Sequence, residues 1–466
     1  MYSKKYLATI VLVISSLILG ACAAPAPASV VEAPAAAEAP AAAEAPAATE
    51  APAQPAAPGV GEPAKVIFWQ FFTDPPIIEA YEKAIADFEA LHPEIDVQME
   101  IVPWSEQQQK LTTALTTGAL PDVSMLGNNV VAQYQAIGAL IPLSPYIEKW
   151  SKEAGADVTK DFWPGDYYYY LIDDQWWGSP MNVETRALWY RSDLFEAAGI
   201  DGPPNSWAEL REDAVKLTKD GVYGIGVPGA IDYPTLQVFM NVYLGYGARF
   251  LNDEGMCGFD SQEFRDALKY YTDLYLVDKV TPPDTPNYSR EQLVQMLSEG
   301  KLAMYIDGPW IYGGLKDANP EWLPSLKVAL IPEGPAGRFG FLGGWPLVIW
   351  KDSNNPEAAW EWIKYATDPE QGLRGIAASA NLPPGRQSIA DQWLASYEEP
   401  LRSEFKVFLD GLQYAQPYQY PDPEIPQMAS LEVDAIQTAV QSVMLGKSVD
   451  DATVELCQRI NDALSR

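Results

Sequence analysis

The chain has 466 residues, 48% hydrophobic and 12% aromatic, with 31 Lys and Arg against 63 Asp and Glu, giving a formal net charge of −32 at pH 7. A field of that sign argues against nucleic acid and weakly against highly anionic ligands. One histidine and three cysteines are too few for a Cys/His metal site, and no metal or other cofactor is expected.

Residues 1–5 carry two lysines, and residues 6–19 are an almost uncharged apolar run, short for a membrane span. The run ends in Leu19-Gly20-Ala21-Cys22, which resembles a bacterial lipoprotein signal: small residues ahead of a cysteine that is lipidated and becomes the new N-terminus. Residues 1–21 are therefore read as a signal peptide and Cys22 as the lipidation site; an ordinary signal peptide cleaved nearby is the alternative. Residues 22–63 are low in complexity, with Glu32, Glu38, Glu44 and Glu50 recurring every six positions in an Ala/Pro background. Proline at this density blocks helix continuation, and methyl groups supply too little apolar surface to order the chain. The segment reads as a tether, at most ~3.1 Å per residue where polyproline-like. No later stretch has 18 apolar residues in a row, so lipid anchoring at the outer face of the cell membrane is expected, without an inserted helix.

About 400 residues follow Pro63, enough for two domains or one two-lobed body. Residues 1–63 hold two lysines and five glutamates, so 29 of the 32 net negative charges belong to this body. A strand from Lys65 to Phe68 runs into Trp69-Gln70-Phe71-Phe72. Pro75-Pro76 then open a helix with Ile78, Tyr81, Ile85, Phe88 and Leu91 on one face. Residues 95–99 alternate as a strand, 107–117 form a helix closed by Gly118, and 121–126 form a strand ending at Gly127-Asn128-Asn129. Such alternation predicts a parallel α/β sheet, with ligands beyond the carboxyl ends of the strands, where Gln70, Phe71, Asn128 and Asn129 fall. Further on, Gly343-Gly344-Trp345 precedes the apolar run Leu347-Val348-Ile349. The glycines permit a close backbone approach or a sharp bend, the tryptophan offers a flat apolar face, and the run reads as a buried strand. Cys257 and Cys457, 200 residues apart, are free to pair after export, but spacing leaves that open.

The segments FEALHPEIDVQ, LTTALTTGALPDVSML, LWYRSDLFEAAGID with PPNSWAEL, AMYIDGPW, GGWPLVI, NNPEAAWEWIKYATDPE and LPPGR occur in that order across nearly all of residues 65–466. Together they resemble the extracellular solute-binding proteins of the large carbohydrate-type family, to which maltose-binding protein also belongs. The resemblance implies an α/β, two-lobed periplasmic-binding-protein-like fold with a multi-strand hinge and a central cleft. The N-terminal lobe would comprise residues 64–183 and 343–379, the C-terminal lobe 184–342 and 380–466. Closure of the lobes on a carbohydrate would be recognised by the transmembrane subunits of an ABC permease. A monomer is expected.

Sugar recognition needs flat apolar faces for the C–H side of a pyranose and planar polar groups for paired hydroxyls. By the resemblance, Trp310 and Trp345 are cleft tryptophans, with Gly344 beside the latter, and Glu184 is a ligand-contacting acid after the first hinge strand. Asp232 and Tyr233 would be an acid and an aromatic of the second lobe. Gln70, Phe71, Asn128 and Asn129 match positions after the first and third strands. Arg386 would fork onto hydroxyls or a carboxylate, or else brace the hinge. Two departures put maltodextrin specificity in doubt. Glu432 stands where maltose-binding protein has a tryptophan after the matched Pro426-Gln427-Met428, and Phe72-Thr73 replaces an Asp-Lys pair. The aromatic runs at 163–170 and 176–177 read as core and lobe surface rather than as an additional sugar platform.

An enzyme reading has little support. Residues 224–229 fit G-x-G-x-x-G, but a proline inside and no helix after it spoil the phosphate cradle. No H-E-x-x-H, G-x-S-x-G or P-loop occurs. A secreted glycoside hydrolase using two of the many carboxylates is the remote alternative. A nearer one keeps the fold and binds glycerol-3-phosphate or a glycerophosphodiester.

Overall fold

In the computed structural model, which describes residues 62–318, 320–417 and 434–465, eleven described strands and the helices around them build two main sheets and one two-stranded ribbon. The expected signal peptide, Cys22, the tether up to residue 61, and the Pro426-Gln427-Met428 and Glu432 positions lie outside the described residues. The described residues belong to one compact unit. No described helix is long and apolar enough to cross a membrane.

The larger sheet takes β1 (Ala64–Gln70), β2 (Ile95–Ile101) and β3 (Val123–Met125) from the start of the body. β1 lies between β2 and β3 and is parallel to both. Two short strands, β4 (Leu171–Ile172) and β5 (Gln175–Trp176), pair only with each other. β6 (Ser179–Thr185) joins the larger sheet through β10 (Gly340–Ile349), antiparallel to it, and β10 is also antiparallel to β3. β11 (Ala415–Gln416) pairs with the start of β10. The smaller sheet is antiparallel, with β7 (Ala187–Arg191) between β8 (Met304–Asp307) and β9 (Leu326–Ala329). The first sheet is therefore only partly parallel and the second not at all. Between β6 and β7 there is a single residue, Arg186, and there the chain passes from one sheet to the other.

The local readings hold closely where chemistry at a terminus is explicit. The helix Gln107–Thr117 ends at Gly118, whose φ of +69° is the left-handed C-cap that glycine favours. The helix Pro75–Leu91 starts at its prolines, but its buried face is turned from the expected one. Ile77, Tyr81, Ala84, Ile85 and Phe88 are buried, whereas Ile78 is half-buried and Leu91 is 64% exposed. Tyr81 and Phe88 pack with Phe68 of β1 and Trp362, and that contact sets the helix's rotation rather than the count of its apolar residues.

β10 is buried along almost all its length. Gly343 and Gly344 let β6 approach: a Cβ on Gly343 would lie 2.3 Å from Glu184 Oε1, and one on Gly344 2.8 Å from the Asn182 carbonyl oxygen. The aromatic run 163–170 contributes Tyr169 and Tyr170 to the core, as expected of a dense aromatic cluster.

The structure joins Cys257 to Cys457, tying the segment after Leu251 to the C-terminal helix Val449–Leu464. The Cys257 N–H also donates to Asn461 Oδ1 at 2.8 Å. Replacing both cysteines by serine should lower the unfolding free energy by about 2–5 kcal/mol. Urea denaturation checks this, and reduced wild-type protein should show a similar loss.

Candidate functional site

Strand ends and loops of both sheets converge on a cavity of about 460 Å³. Its size falls within the range of small-molecule sites. On the side of the larger sheet, Phe71 and Phe72 follow β1, Trp104 follows β2, and Trp345 projects from β10. On the other side stand Tyr233, at the start of the helix Tyr233–Gly245, and Trp310, just after β8. Trp104 and Trp345 meet edge to face, with centroids 4.2 Å apart and planes at 88°. Phe72 packs on Trp345 at 5.9 Å and Phe71 on Trp104 at 6.3 Å. This wall is apolar and flat-faced, the surface that the C–H side of a sugar ring requires.

Six of the residues singled out from the sequence line this cavity: Phe71, Glu184, Asp232, Tyr233, Trp310 and Trp345. Asp232 is the N-cap of its helix, accepting hydrogen bonds from Thr235 N at 3.4 Å and Thr235 Oγ1 at 3.2 Å. Burial raises its pKa above the usual carboxylate value, against the lowering effect of its hydrogen bonds with Ser289 and Thr235.

The remaining positions lie elsewhere. Gln70 is fully buried and brackets Phe72, donating from Nε2 to the Phe72 carbonyl and accepting the Phe72 N–H, both at 2.7 Å. It shapes the turn that presents Phe71 and Phe72 instead of facing the cavity. Asn128 and Asn129 belong to the 3₁₀ turn Asn128–Val130, and neither lines the cavity; Asn129 Oδ1 sits over Gly127, where an added Cβ would be 2.6 Å away. Gly344 packs beneath β6 and Tyr170, so its contribution is the close approach of backbone.

Arg386 departs furthest from the ligand-binding expectation. It is 1% exposed and donates to the Thr367 and Val158 carbonyls at 3.0 Å each. Its guanidinium lies 4.8 Å from the Trp150 ring and 4.2 Å from that of Phe162. Burial pushes its pKa down to about 10. The side chain braces packed segments by binding carbonyls, not an acid.

Two arginines that no spacing rule singled out, Arg186 and Arg290, do line the cavity. Arg186 is 2% exposed; its Nη1 and Nη2 each lie 3.4 Å from Glu184 Oε1, and its Nε lies 4.0 Å from Asp307 Oδ1. Arg290 donates from Nε to Asp307 Oδ2 at 3.0 Å and from Nη2 to Gln237 Oε1 at 2.8 Å. Burial opposes the charge of Arg290, and Asp307, then Tyr305 and Glu184, more than offset it, so its pKa stands above the usual arginine value. Both guanidiniums thus already face carboxylates. Asp74, Asp232 and Glu291 add further acid to the lining, which suits a neutral ligand and opposes an anionic one. Sequence offered one hint, since Arg186 is only two residues from Glu184.

The family described as bacterial extracellular solute-binding protein matches residues 74–373. The chain belongs to that family. A protein of Brucella abortus named only as a binding protein is 29% identical over 394 residues, 84% of this chain and 90% of its own. The diacetylchitobiose binding protein DasA of Streptomyces coelicolor is 26% identical over 391 residues, covering 82% and 85%. Among solved structures, an ABC transporter solute-binding protein of Thermotoga lettingae bound with α-D-tagatose superposes with a TM-score of 0.74 at 27% identity, covering 86% of this chain and all of that one. The fold is the two-lobed α/β architecture of these binding proteins, and an extracytoplasmic location follows from the family.

Trp310 is seated against Gly308. A Cβ on Gly308 would come within 1.9 Å of the Trp310 ring. Gly308→Ala should displace that ring, changing the intrinsic tryptophan emission and weakening ligand binding by about tenfold or more. Fluorescence spectra and titration calorimetry check the two effects.

Proposed function

We propose that this family member is the substrate-binding component of an ABC importer. It captures a neutral sugar, polyol or short saccharide between its two walls and presents it to the transmembrane subunits of a permease. The observation that carries the reading is the cavity itself, with aromatic faces on both sides and its two guanidiniums already neutralised by Glu184 and Asp307. The sugar-binding names of relatives support the same class. The lobe division at residues 183/184, 342/343 and 379/380, the lipid anchor on Cys22 and a monomeric state complete the proposal.

Glycerol-3-phosphate and its diesters fit less well. A phosphate would have to compete with buried carboxylates for Arg186 and Arg290 while facing Asp74, Asp232 and Glu291. A hydrolase would need two of these acids to act on a glycosidic bond, and turnover distinguishes it.

The test is thermal unfolding of the full-length protein against monosaccharides including tagatose, polyols, disaccharides including diacetylchitobiose, arabinose and xylose oligomers, and glycerol-3-phosphate. A ligand at a thousand times its dissociation constant adds about 4 kcal/mol. A shift with one sugar class and no product on chromatography is expected. A flat saccharide panel with glycan breakdown would overturn the reading in favour of hydrolysis, and a shift only with glycerol-3-phosphate would move it to glycerophosphate uptake. Trp310→Ala and Trp345→Ala should each weaken the sugar that binds by about 2 kcal/mol, roughly thirtyfold.

The raised pKa of Asp232 gives a pH signature. As pH falls through that value the carboxylate gains a proton and loses acceptor capacity, so affinity should decline while the pH is still above the ordinary carboxylate range. Titration calorimetry over pH should show this decline in the wild type and a flattened profile in Asp232→Asn.

A further inference from the structure

Arg186 is the single residue between β6 of the larger sheet and β7 of the smaller one. Any rotation of one sheet against the other must therefore pass through its backbone. Its side chain touches both sides of the crossing. Glu184 belongs to β6, whereas Asp307 ends β8 of the other sheet. The flat guanidinium also contacts two aromatic rings, 4.6 Å from the Trp310 centroid and 4.5 Å from that of Phe341. Phe341 belongs to β10, the other strand of the crossing, and its N–H is held by Asn241 Oδ1 at 2.8 Å. One buried cation thus joins a cavity tryptophan to both strands at the crossing.

The charge-assisted contacts here are long: 3.4 Å to Glu184 and 4.0 Å to Asp307. They leave room to shorten. A planar cation against aromatic faces slides and pivots at little cost, whereas its charge holds it near both carboxylates. Such a joint tolerates rotation without coming apart, and a few residues at element ends are where hinge motion is absorbed.

We propose that Arg186 is the positioning residue that couples occupancy of the Trp310 face to closure of the two lobes. A ligand pressed against Trp310 fixes that ring, the ring fixes the guanidinium against Phe341, and the crossing is held in its closed rotation. The ligand part of this proposal rests on the saccharide reading above; the hinge part does not. A ligand shifts a two-state equilibrium only by the difference in its interaction with the two states, and Arg186 gives Trp310 a route to make that difference.

The test uses the full-length protein with Arg186→Lys, which keeps the charge and loses the planar stack, and Arg186→Met, which keeps an apolar stem and loses the charge. Ligand-free, hydrogen exchange in residues 183–188 and 340–343 should quicken in Arg186→Lys while other strands keep their protection. With the panel sugar that binds the wild type at saturation, small-angle scattering should show wild-type compaction and a reduced compaction for Arg186→Lys, with affinity about tenfold weaker. Trp310→Ala should lose affinity and quicken ligand-free exchange at the crossing less than Arg186→Lys does, since the Phe341 stack remains. Wild-type exchange and wild-type compaction in Arg186→Lys would overturn the proposal. Should Arg186→Met fail to fold, Arg186→Lys still decides it. Should no sugar bind the wild type, the function reading fails, and unchanged ligand-free exchange in Arg186→Lys still overturns the hinge role independently.

Discussion

The pairing of β6 with β10 is the constraint on which the rest of the structure depends. These two strands run antiparallel at one side of the larger sheet, and each leads at one end to the smaller sheet's side of the molecule. Their approach is close because Gly343 and Gly344 have no side chains to hold them apart. The space that a Cβ on Gly343 would fill is occupied by the carboxylate of Glu184, a cavity residue. A packing requirement in the crossing thereby becomes the placement of a cavity-lining acid.

Charge in the cavity is organised by the same crossing. Removing a charge from water is costly unless it is paired, and Arg186, Glu184 and Asp307 are all at least 96% buried. Arg290 completes the group through Asp307. The result is a polar floor whose cations and anions balance, set between aromatic walls that supply most of the contact surface. Such a floor orients hydroxyls through directed hydrogen bonds without presenting a bare cation to anions. Net acidity of the lining and of the whole chain then act in one direction.

Much of this arrangement was legible before folding was considered, and for local reasons. The proline pair at 75–76 and the left-handed glycine at 118 are local signals, so the start of Pro75–Leu91 and the stop at Gly118 were recoverable. Trp310 follows Gly308 just after β8, and Trp345 follows Gly343-Gly344 within β10, so each flat face stands next to a glycine segment. Gln70, Asn128 and Asn129 carry a strand-end positional signal, yet Gln70 bonds within its own turn and neither asparagine lines the cavity. A strand end is where ligands bind and also where turns are built, and residue type does not separate the two.

Sequence by itself determined the family, the alternation of strands and helices, the anionic character and the presence of flat aromatic faces near strand ends. These follow from composition, periodicity and ordered motifs, which act over a few residues at a time or accumulate along the chain. Tertiary structure alone decided which cations are paired. Arg386 goes to the carbonyls of Thr367 and Val158, while Arg186 and Arg290 meet Asp307 from positions over a hundred residues apart. It also brought Cys257 to Cys457 across 200 residues and turned the first helix onto Phe68 and Trp362. Burial and pairing depend on which segments meet in space, and neither periodicity nor spacing along the chain contains that information.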